Sequence, residues 1–448
     1  MTHIFHRSPS SPPAIAVHGE GGFIHSADGR QFFDGSGGAA VSCLGHGHPE
    51  VIDAVVQQMH KLEYAHTGFF SSEPAEKLAS LLASHSPPTL NNVYFLSSGS
   101  EAIETTLKMA RQYHVERGEP QRRHNIARKL SYHGNTLGAL AIGGHVGRRA
   151  LYQPLLVQAH HVSPCFARHY RQADETDDAY ASRLASEFEQ LILELGPDTV
   201  STFVAETVVG ATAGAVAPVP GYFQKIRAVC DRYGVLLIMD EVMSGVGRTG
   251  TYHAFEQEGV VPDLLTMAKG LGGGYQPIAA VMVADKVVDA IVAGSGAFQH
   301  GHTYVGHPVA CAAALAVQTI IQRDQLVQRS ASMGQHLRAL LTQRFGDHAN
   351  VGDIRGRGLF QAIELVASRD PDRPFDPSLQ IHAKIKRQAQ QVGLLCYPGG
   401  GCIDGVHGDH VLLAPPYNSR EGVLEMAVDR LGQAIDLVLN ETAGKSGT

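Results

Sequence analysis

Short apolar runs alternate with helix-like segments through the middle of the chain. The runs predict strands at residues 93–96, 202–205, 235–239, 264–267 and 279–283. Strands that are apolar along their whole length are typical of a parallel sheet covered on both faces. Their alternation with helices favours an α/β fold whose strands are mainly parallel and joined by crossover helices.

The two ends of the chain follow a different pattern. Residues 22–34 predict a hairpin around an Asp28-Gly29 turn, and a helical pattern covers residues 48–61. After about residue 323, two helices alternate with strands at 359–365 and 411–414, which favours a smaller α+β domain. The patterns therefore predict a large domain over 61–323, a C-terminal small domain over 324–448, and an N-terminal segment, 1–60, that packs with the small domain.

Bulk composition narrows the class of protein. The chain is 44% apolar and 18% charged, which is typical of a compact enzyme. A chain of 448 residues is too long to fold around a single simple hydrophobic core, so we expect more than one domain. A net charge of −7 without a basic run argues against nucleic acid and anionic membranes as partners. No apolar stretch is long enough to span a bilayer, and the N-terminus lacks the apolar region of a signal peptide, so we expect a cytoplasmic protein.

Cysteine and histidine usage gives no sign of a disulfide framework or a metal site. The six cysteines are widely spaced and form no Cys-x-x-Cys pair, so we expect reduced thiols. The 25 histidines include His46-Gly-His48 and His300-Gly-His302, whose spacing does not suit metal ligation from one face of a helix. We therefore expect no metal.

An amine and a carboxylate follow two of the predicted strands. Lys269 comes just after the strand at 264–267 and precedes a glycine-rich turn, and the strand at 235–239 is followed by Asp240. Neighbouring parallel strands would bring both side chains to the carboxyl edge of the sheet, where open α/β sheets bind ligands. A buried lysine can form a Schiff base with a carbonyl cofactor, and a carboxylate can keep a pyridine nitrogen protonated. Together these residues suggest pyridoxal phosphate.

Two further motifs offer contacts for such a cofactor. Gly99 and Ser100 lie between a strand and a helix predicted at 103–113, where glycine admits a phosphate and serine can cap the helix. Tyr132 and His133 follow a probable strand at 125–130, and a tyrosine there can stack on a planar ring. Each motif alone also fits an ordinary structural role. Gly99 and Ser100 could form a turn with a serine helix cap, and Tyr132 and His133 could be a core tyrosine and a buried histidine whose hydrogen bonds are all made.

The segment Gly245-Val-Gly-Arg-Thr-Gly250 matches the dinucleotide pattern G-x-G-x-x-G. That fingerprint requires its first glycine directly after a strand and its last glycines at the start of a helix. Here residues 241–244 separate Asp240 from the first glycine, and a loop-like segment follows Gly250. We therefore reject a nucleotide site at this segment.

Several motifs in order resemble one family, the class III (ω-type) aminotransferases, which are fold type I pyridoxal-phosphate enzymes. The resemblance covers nearly the whole chain, and the combination of motifs is specific although each motif alone is not. The motifs are Gly45-His-Gly-His-Pro49, Ser98-Gly-Ser-Glu-Ala102, Tyr132-His-Gly134, Glu206, Asp240-Glu-Val242, Gly247-Arg-Thr-Gly250, Lys269, His302-Thr-Tyr-Val-Gly306 and Arg355-Gly-Arg-Gly-Leu359.

The resemblance implies a role for each matching residue. Lys269 would be the catalytic lysine that binds the cofactor and moves the proton, and Asp240 would pair with the pyridinium nitrogen. Thr303 would add a phosphate contact from the partner subunit, which implies a homodimer with shared active sites. The other implied cofactor contacts are Gly99 and Ser100 at the phosphate, Val242 and Tyr132 on the two ring faces, and His133 beside them.

The chain departs from the family pattern at two informative places. Met243 stands where many relatives carry a glutamine that reaches the cofactor hydroxyl. No arginine lies between Arg387 and Arg420, where relatives that act on ω-amino acids carry a mobile arginine that swings toward the residue matching Glu206. The candidate substrate contacts are Glu206, Phe69, Phe70 and Tyr152. The alternative carboxylate binders are Arg148 and Arg149, or the histidines of His300-Gly-His302 and His407-Gly-Asp-His410.

The resemblance thus implies transamination between an amine or ω-amino acid and a 2-oxo acid such as pyruvate. An aminomutase, racemase, decarboxylase or lyase of the same fold stays open as the alternative, because the motifs do not fix which bond is broken. A nicotinamide-dependent oxidoreductase or a catalytically silent binding protein is the third possibility.

Overall fold

A computed structural model describes residues 2–445, and side chains as far as residue 442. The strands in chain order are β1 (Ala16–Glu20), β2 (Phe23–Ser26), β3 (Gln31–Asp34), β4 (Asn92–Leu96), β5 (His124–Arg128), β6 (His160–Val162), β7 (Val200–Glu206), β8 (Leu236–Asp240), β9 (Leu264–Met267), β10 (Ala279–Val283), β11 (Val351–Arg357), β12 (Phe360–Leu365), β13 (Ser368–Arg369), β14 (Asp372–Arg373), β15 (Leu394–Leu395), β16 (Tyr397–Gly400) and β17 (Asp409–Leu413).

The α-helices in chain order are α1 (Gly37–Ala40), α2 (Pro49–Lys61), α3 (Glu73–Ser84), α4 (Gly99–Glu116), α5 (Leu137–Ile142), α6 (Val146–Arg149), α7 (Ala167–Tyr170), α8 (Asp177–Leu195), α9 (Tyr222–Tyr233), α10 (Asp285–Ala293), α11 (Pro308–Arg323), α12 (Leu326–Phe345), α13 (Ile381–Gln391) and α14 (Glu421–Lys445). Within residues 2–445, no helix has both the length and the apolar character needed to cross a membrane.

A seven-stranded sheet forms the centre of the fold, in the order β4-β10-β9-β8-β7-β5-β6. Only β10 runs antiparallel to its two neighbours, and the other pairings are parallel, so the predicted mainly parallel sheet is confirmed. The predicted bounds of β9 and β10 match the structure. β7 is longer than predicted by two residues at its start and one at its end, and β8 lies one residue later than predicted. These strands are recognisable because their residues are buried throughout.

Successive residues of the central strands point into two different cores. Leu237 and Met239 of β8 join the larger hydrophobic cluster, whereas Leu236 and Ile238 join the cluster built around α4. This alternation is the two-residue period of a strand, with both faces covered. It explains why the sequence shows continuous apolar runs rather than an alternating pattern.

The two ends of the chain meet in space. β3 pairs in parallel with β15, so the N-terminal strands extend into the C-terminal part, where β11, β12, β17 and β16 form an antiparallel sheet. Helices α12, α13 and α14 pack with this region. The proposed boundaries at residues 60 and 323 stay predictions, and the outermost residues of the two end segments, 1 and 446–448, lie outside the described part of the chain.

Gly334 and Gly358 allow α12, the turn between β11 and β12, and the loop around Thr249 to approach one another closely. A Cβ atom on Gly334 of α12 would overlap the carbonyl group of Gly358, in the turn between β11 and β12. A Cβ atom on Gly358 would lie 2.6 Å from the carbonyl carbon of Thr249, and Gly358 has a φ of +52°. The close approach of three backbone segments therefore requires glycine at both positions.

We predict that Gly334→Ala lowers the free energy of unfolding by about 3 kcal/mol, because the added methyl group must push α12 away from the turn. Urea denaturation would measure the change. Gly422→Ala in α14 is the matched control, because nothing lies within 4 Å of the added atom. Because Gly422 is exposed in the first turn of α14, this substitution should change the free energy of unfolding by less than about 0.5 kcal/mol. Equal stability of the two variants would contradict the packing described.

Candidate active site

A cavity of about 380 Å³ lies at the carboxyl ends of the parallel strands. Asp240, the last residue of β8, pairs in register with Thr266 of β9, and Lys269 follows β9 by two residues. The prediction that adjacent parallel strands carry the acid and the amine is therefore confirmed. The cavity wall consists of Val41, Ser97, Ser98, Gly99, Ser100, Tyr132, His133, Gly134, Glu206, Val208, Asp240, Val242, Met243, Ala268, Lys269, Gly274, Gln276, Pro277 and Ile278.

Lys269 leaves the sheet through a sharp turn. Its φ of +46° is unusual for a residue with a side chain, and the amides of Gly272 and Gly273 donate to its carbonyl oxygen at 3.2 and 3.0 Å. Burial lowers the pKa of the ammonium group, and the charges of Asp240 and Glu206 partly oppose this change. A lysine with a lowered pKa has a larger neutral, nucleophilic fraction.

Asp240 is held by three donors. Its Oδ2 atom lies 2.8 Å from Nδ1 of buried His133, and its Oδ1 atom accepts from the Val242 amide at 3.0 Å and the Thr266 hydroxyl at 3.2 Å. Because an ionised carboxylate only accepts hydrogen bonds, Nδ1 of His133 carries the proton of this contact. Nε2 of His133 is buried and has no hydrogen-bond partner among the described residues.

Glu206, the last residue of β7, connects the sheet edge to the segment that carries Tyr132. Its two carboxylate oxygens accept from the amides of Tyr132 and Gly210, both at 3.0 Å. Burial raises the pKa of Glu206, and the charge of Asp240 adds to this effect. The amide contacts fix the orientation of the carboxyl group in the cavity wall, to which Tyr132 also belongs.

The start of α4 forms another part of the wall. The prediction that Ser100 caps this helix is wrong: Ser98 is the cap, and its Oγ atom accepts from the Glu101 amide at 3.2 Å. The helix begins at Gly99, earlier than predicted, because Ser98 keeps extended backbone angles of −151° and 157°. The hydroxyl of Ser100 instead donates to Oδ1 of Asn135 at 3.2 Å.

The backbone at this helix start is open to a ligand. The amides of Gly99 and Ser100 donate to no acceptor within residues 2–445, as expected for the first turn of a helix. A Cβ atom on Gly99 would lie 2.9 Å from Val242, and one on Gly134 would lie 2.5 Å from the Ser100 hydroxyl. Free amides at the positive end of a long helix, lined by glycine, are the donor set that a phosphate group requires.

Four predicted residues do not reach this cavity in the single chain. Phe69 and Phe70 are 81% and 67% exposed, and Tyr152 is 46% exposed. Thr303 is also exposed, and its carbonyl oxygen accepts from the Tyr64 hydroxyl at 3.0 Å. Thr303 was expected to act on the partner subunit's site, so its role and those of the three aromatic residues stay predictions.

The cavity also contains residues that sequence reasoning did not select. Val41 comes from the N-terminal segment, Val208 follows Glu206, and Gln276 follows the glycine-rich turn. Only Gln276 had a local signal, its place directly after that turn. Met243, noted as a departure from the family, packs with Phe360 in an apolar cluster beside the cavity.

The structure also bears on two other kinds of site, a dinucleotide site and a metal site. Residues 245–250 lie in a loop and no helix follows them directly, so the rejection of a dinucleotide fingerprint is confirmed. Within the described part of the chain, no group of three or more His, Cys, Asp or Glu side chains has a geometry that could hold a metal ion.

The site geometry agrees with comparisons to known proteins. The family model for class III aminotransferases matches residues 4–435. An uncharacterized aminotransferase of Schizosaccharomyces pombe is 48% identical, over 97% of this chain and 95% of its own. The diaminobutyrate–2-oxoglutarate transaminase of Halomonas elongata is 35% identical, over 96% and 91%. The ω-transaminase of Pseudomonas jessenii in complex with PMP superimposes with a TM-score of 0.92 at 33% identity, over 98% and 96%.

The chain therefore belongs to the class III aminotransferases. It has the fold type I architecture, depends on pyridoxal phosphate and catalyses transamination, as the motifs indicated. The findings support transamination over the aminomutase, racemase, decarboxylase and lyase alternatives.

Proposed function

We propose that this enzyme transfers an amino group from an amine or ω-amino acid to a 2-oxo acid such as pyruvate, with Lys269 as the catalytic residue. The observation that carries the proposal is the position of a partly desolvated lysine beside Asp240, in a cavity that ends at the start of α4. Bound pyridoxal phosphate supplies a reactive carbonyl group and a ring that withdraws electrons.

The wall residues fit the parts of this cofactor. The amides of Gly99 and Ser100 and the Ser100 hydroxyl are the proposed phosphate ligands. Asp240 is the proposed partner of the ring nitrogen, and His133 holds one of its oxygens at 2.8 Å. Val242 and Tyr132, which both line the cavity, are the proposed contacts of the ring faces.

Lys269 is also the proposed proton carrier. Because burial lowers its pKa, its neutral amine can accept a proton from bound substrate and return the proton to a different atom. Asp240 and Glu206 stabilise the ammonium form electrostatically and so keep both protonation states accessible.

The proposed donor is an amine without an α-carboxylate. Val208 and Met243 give the cavity apolar walls, and no arginine lies between Arg387 and Arg420 to pair with an α-carboxylate. Phe69, Phe70 and Tyr152 are candidates for further apolar substrate contacts if a partner subunit brings them to the site. Pyruvate is the proposed acceptor, and 2-oxoglutarate, with its second carboxylate, is expected to be poorer.

We predict that the purified enzyme forms alanine from pyruvate with one or more members of a panel of primary amines and ω-amino acids. Lys269→Ala should reduce this rate by at least a thousandfold, because it removes both the nucleophile and the proton carrier. Borohydride reduction followed by peptide mapping should find the cofactor on Lys269, and a label on another lysine would contradict its role. If glutamate and 2-oxoglutarate are the best pair, the substrate assignment is wrong.

For Asp240→Asn we predict a loss of kcat on the order of a thousandfold, about 4 kcal/mol, with the fold retained. The neutral amide cannot stabilise a protonated ring nitrogen. Thr266→Val is the matched control, because it removes one hydrogen bond to Asp240 but keeps the carboxylate, and it should cost less than about tenfold. Near-native turnover of Asp240→Asn would show that another group acts on the ring.

We further propose a homodimer with shared sites. Ile52, Val56 and Met59 form an exposed apolar stripe on α2, and Phe69 and Phe70 add two exposed aromatic rings. Apolar side chains at helical spacing on a surface are typical of a protein contact. Such a contact would allow Thr303 of one subunit to reach the phosphate in the other.

Thr303→Ala should therefore weaken cofactor retention, seen as loss of visible absorbance on dialysis. Mixing Thr303→Ala with inactive Lys269→Ala subunits should raise activity above that of either variant alone, because one site of each mixed dimer has both native residues. Lys269→Ala mixed with itself is the control. A fully active monomer in sedimentation would refute the shared site.

A cytoplasmic location is also proposed, supported by six free cysteines of which five are buried. Cell fractionation with an antibody to the protein would test this, and recovery in another compartment would contradict it.

A further inference from the structure

The proposed acceptor has a carboxylate, and the ionisable groups of the cavity provide few cations to bind it. Asp240 and Glu206 are acidic, His133 contacts Asp240 at 2.8 Å, and Lys269 is committed to the cofactor in the proposed function. None of the four histidine candidates lines the cavity: His300 contacts the Thr105 hydroxyl at 2.9 Å and His407 contacts Asp404 at 2.7 Å, and His302 and His410 also lie outside the wall. The acceptor therefore needs a cation that lies just outside the cavity wall.

Arg148 is positioned to be that cation. Its guanidinium carbon lies 4.7 Å from the centre of the Tyr132 ring, and this ring borders the cavity. The side chain of Arg148 is exposed and makes no hydrogen bond or ion pair with any residue from 2 to 445. A guanidinium that stacks on an aromatic ring keeps its N–H edge free for a carboxylate.

The neighbouring arginine points elsewhere. Arg149 is half-buried, its guanidinium lies 3.5 Å from Nδ1 of His161, and burial lowers its pKa. Only Arg148 of this pair stacks on a residue of the cavity wall. Arg149 therefore serves as a control with the same charge at the adjacent position.

The loop at 401–408 packs against the segment that carries Arg148. The carbonyl oxygen of Gly405 lies 3.8 Å from a Cβ atom placed on Gly147, and a Cβ atom placed on Gly405 would lie 3.6 Å from Val146. A Cβ atom on Gly401 would lie 3.2 Å from the ring of His145. The loop thus supports α6, a helix of only four residues that has little stability of its own.

We propose that Arg148 binds the carboxylate of the 2-oxo acid acceptor, with the stack on Tyr132 holding the guanidinium at the mouth of the cavity. The assignment rests on the proposed function and names the specificity residue of that site. A single planar guanidinium makes two parallel hydrogen bonds to one carboxylate. One such pair accounts for the single carboxylate of pyruvate.

The experiment compares two acceptors, pyruvate and propanal, with one amine donor in wild type and Arg148→Gln. We expect kcat/KM for pyruvate to fall about 10- to 100-fold, mainly through KM, and kcat/KM for propanal to change less than twofold, because propanal has no carboxylate. Arg148→Lys keeps the charge without the planar fork and should give an intermediate loss for pyruvate. Arg149→Gln should leave the ratio between the two acceptors unchanged.

Each other outcome overturns the proposal. An equal loss for both acceptors, with an altered cofactor absorbance, would mean that Arg148 only supports the Tyr132 ring. An unchanged pyruvate constant would mean that another group binds the carboxylate. Arg7, whose positive charge opposes the rise in the pKa of Tyr132, is the alternative carboxylate binder. In that case Arg7→Gln, and not Arg148→Gln, would lower kcat/KM for pyruvate selectively. If wild type transfers no amino group to either acceptor, the proposed function is refuted, and the assignment of Arg148, which rests on it, falls with it.

Discussion

The register of three parallel strands determines the chemistry of this protein. Glu206 of β7 lies opposite Asp240 of β8, and Asp240 lies opposite Thr266 of β9, immediately before the turn that carries Lys269. Because side chains of a strand alternate between faces, a shift of one residue in either pairing would send an ionisable group into an apolar core. The two hydrophobic clusters on opposite faces of β8 fix that register and so fix the site.

Burying three ionisable groups at one sheet edge costs free energy unless each group is solvated by the protein. Asp240 accepts from three donors and Glu206 from two backbone amides. Lys269 lacks such contacts and responds with a lowered pKa. As a result, the carboxylates of Asp240 and Glu206 are held in fixed orientations, whereas the amine of Lys269 remains reactive.

The sequence was most informative where burial is uniform and least informative where distant segments meet. The apolar runs defined β9 and β10 to the residue, and the positions of Asp240 and Lys269 after adjacent strands indicated the site. Local pattern could not decide which serine caps α4, because Ser98 and Ser100 are equally good caps and only the backbone angles distinguish them. The contact between Gly334 and Gly358 joins segments with no periodic relation, so no window of sequence contains it.

The same limit applies to substrate recognition. The absence of an arginine between Arg387 and Arg420 was visible in the sequence, and Arg148 and Arg149 were among the candidates to replace it. The sequence could not choose between the two, because stacking of Arg148 on Tyr132 depends on the loop at 401–408. An arginine that stacks on Tyr132 from a short helix differs physically from a mobile arginine that swings toward the residue matching Glu206. Glu206, the expected partner of a swinging arginine, is held instead by the amides of Tyr132 and Gly210, and burial raises its pKa. Arg148 stacked on Tyr132 beside the cavity, with Glu206 held by two backbone amides inside it, favours an acceptor whose carboxylate is directed toward Arg148 and a donor without an α-carboxylate.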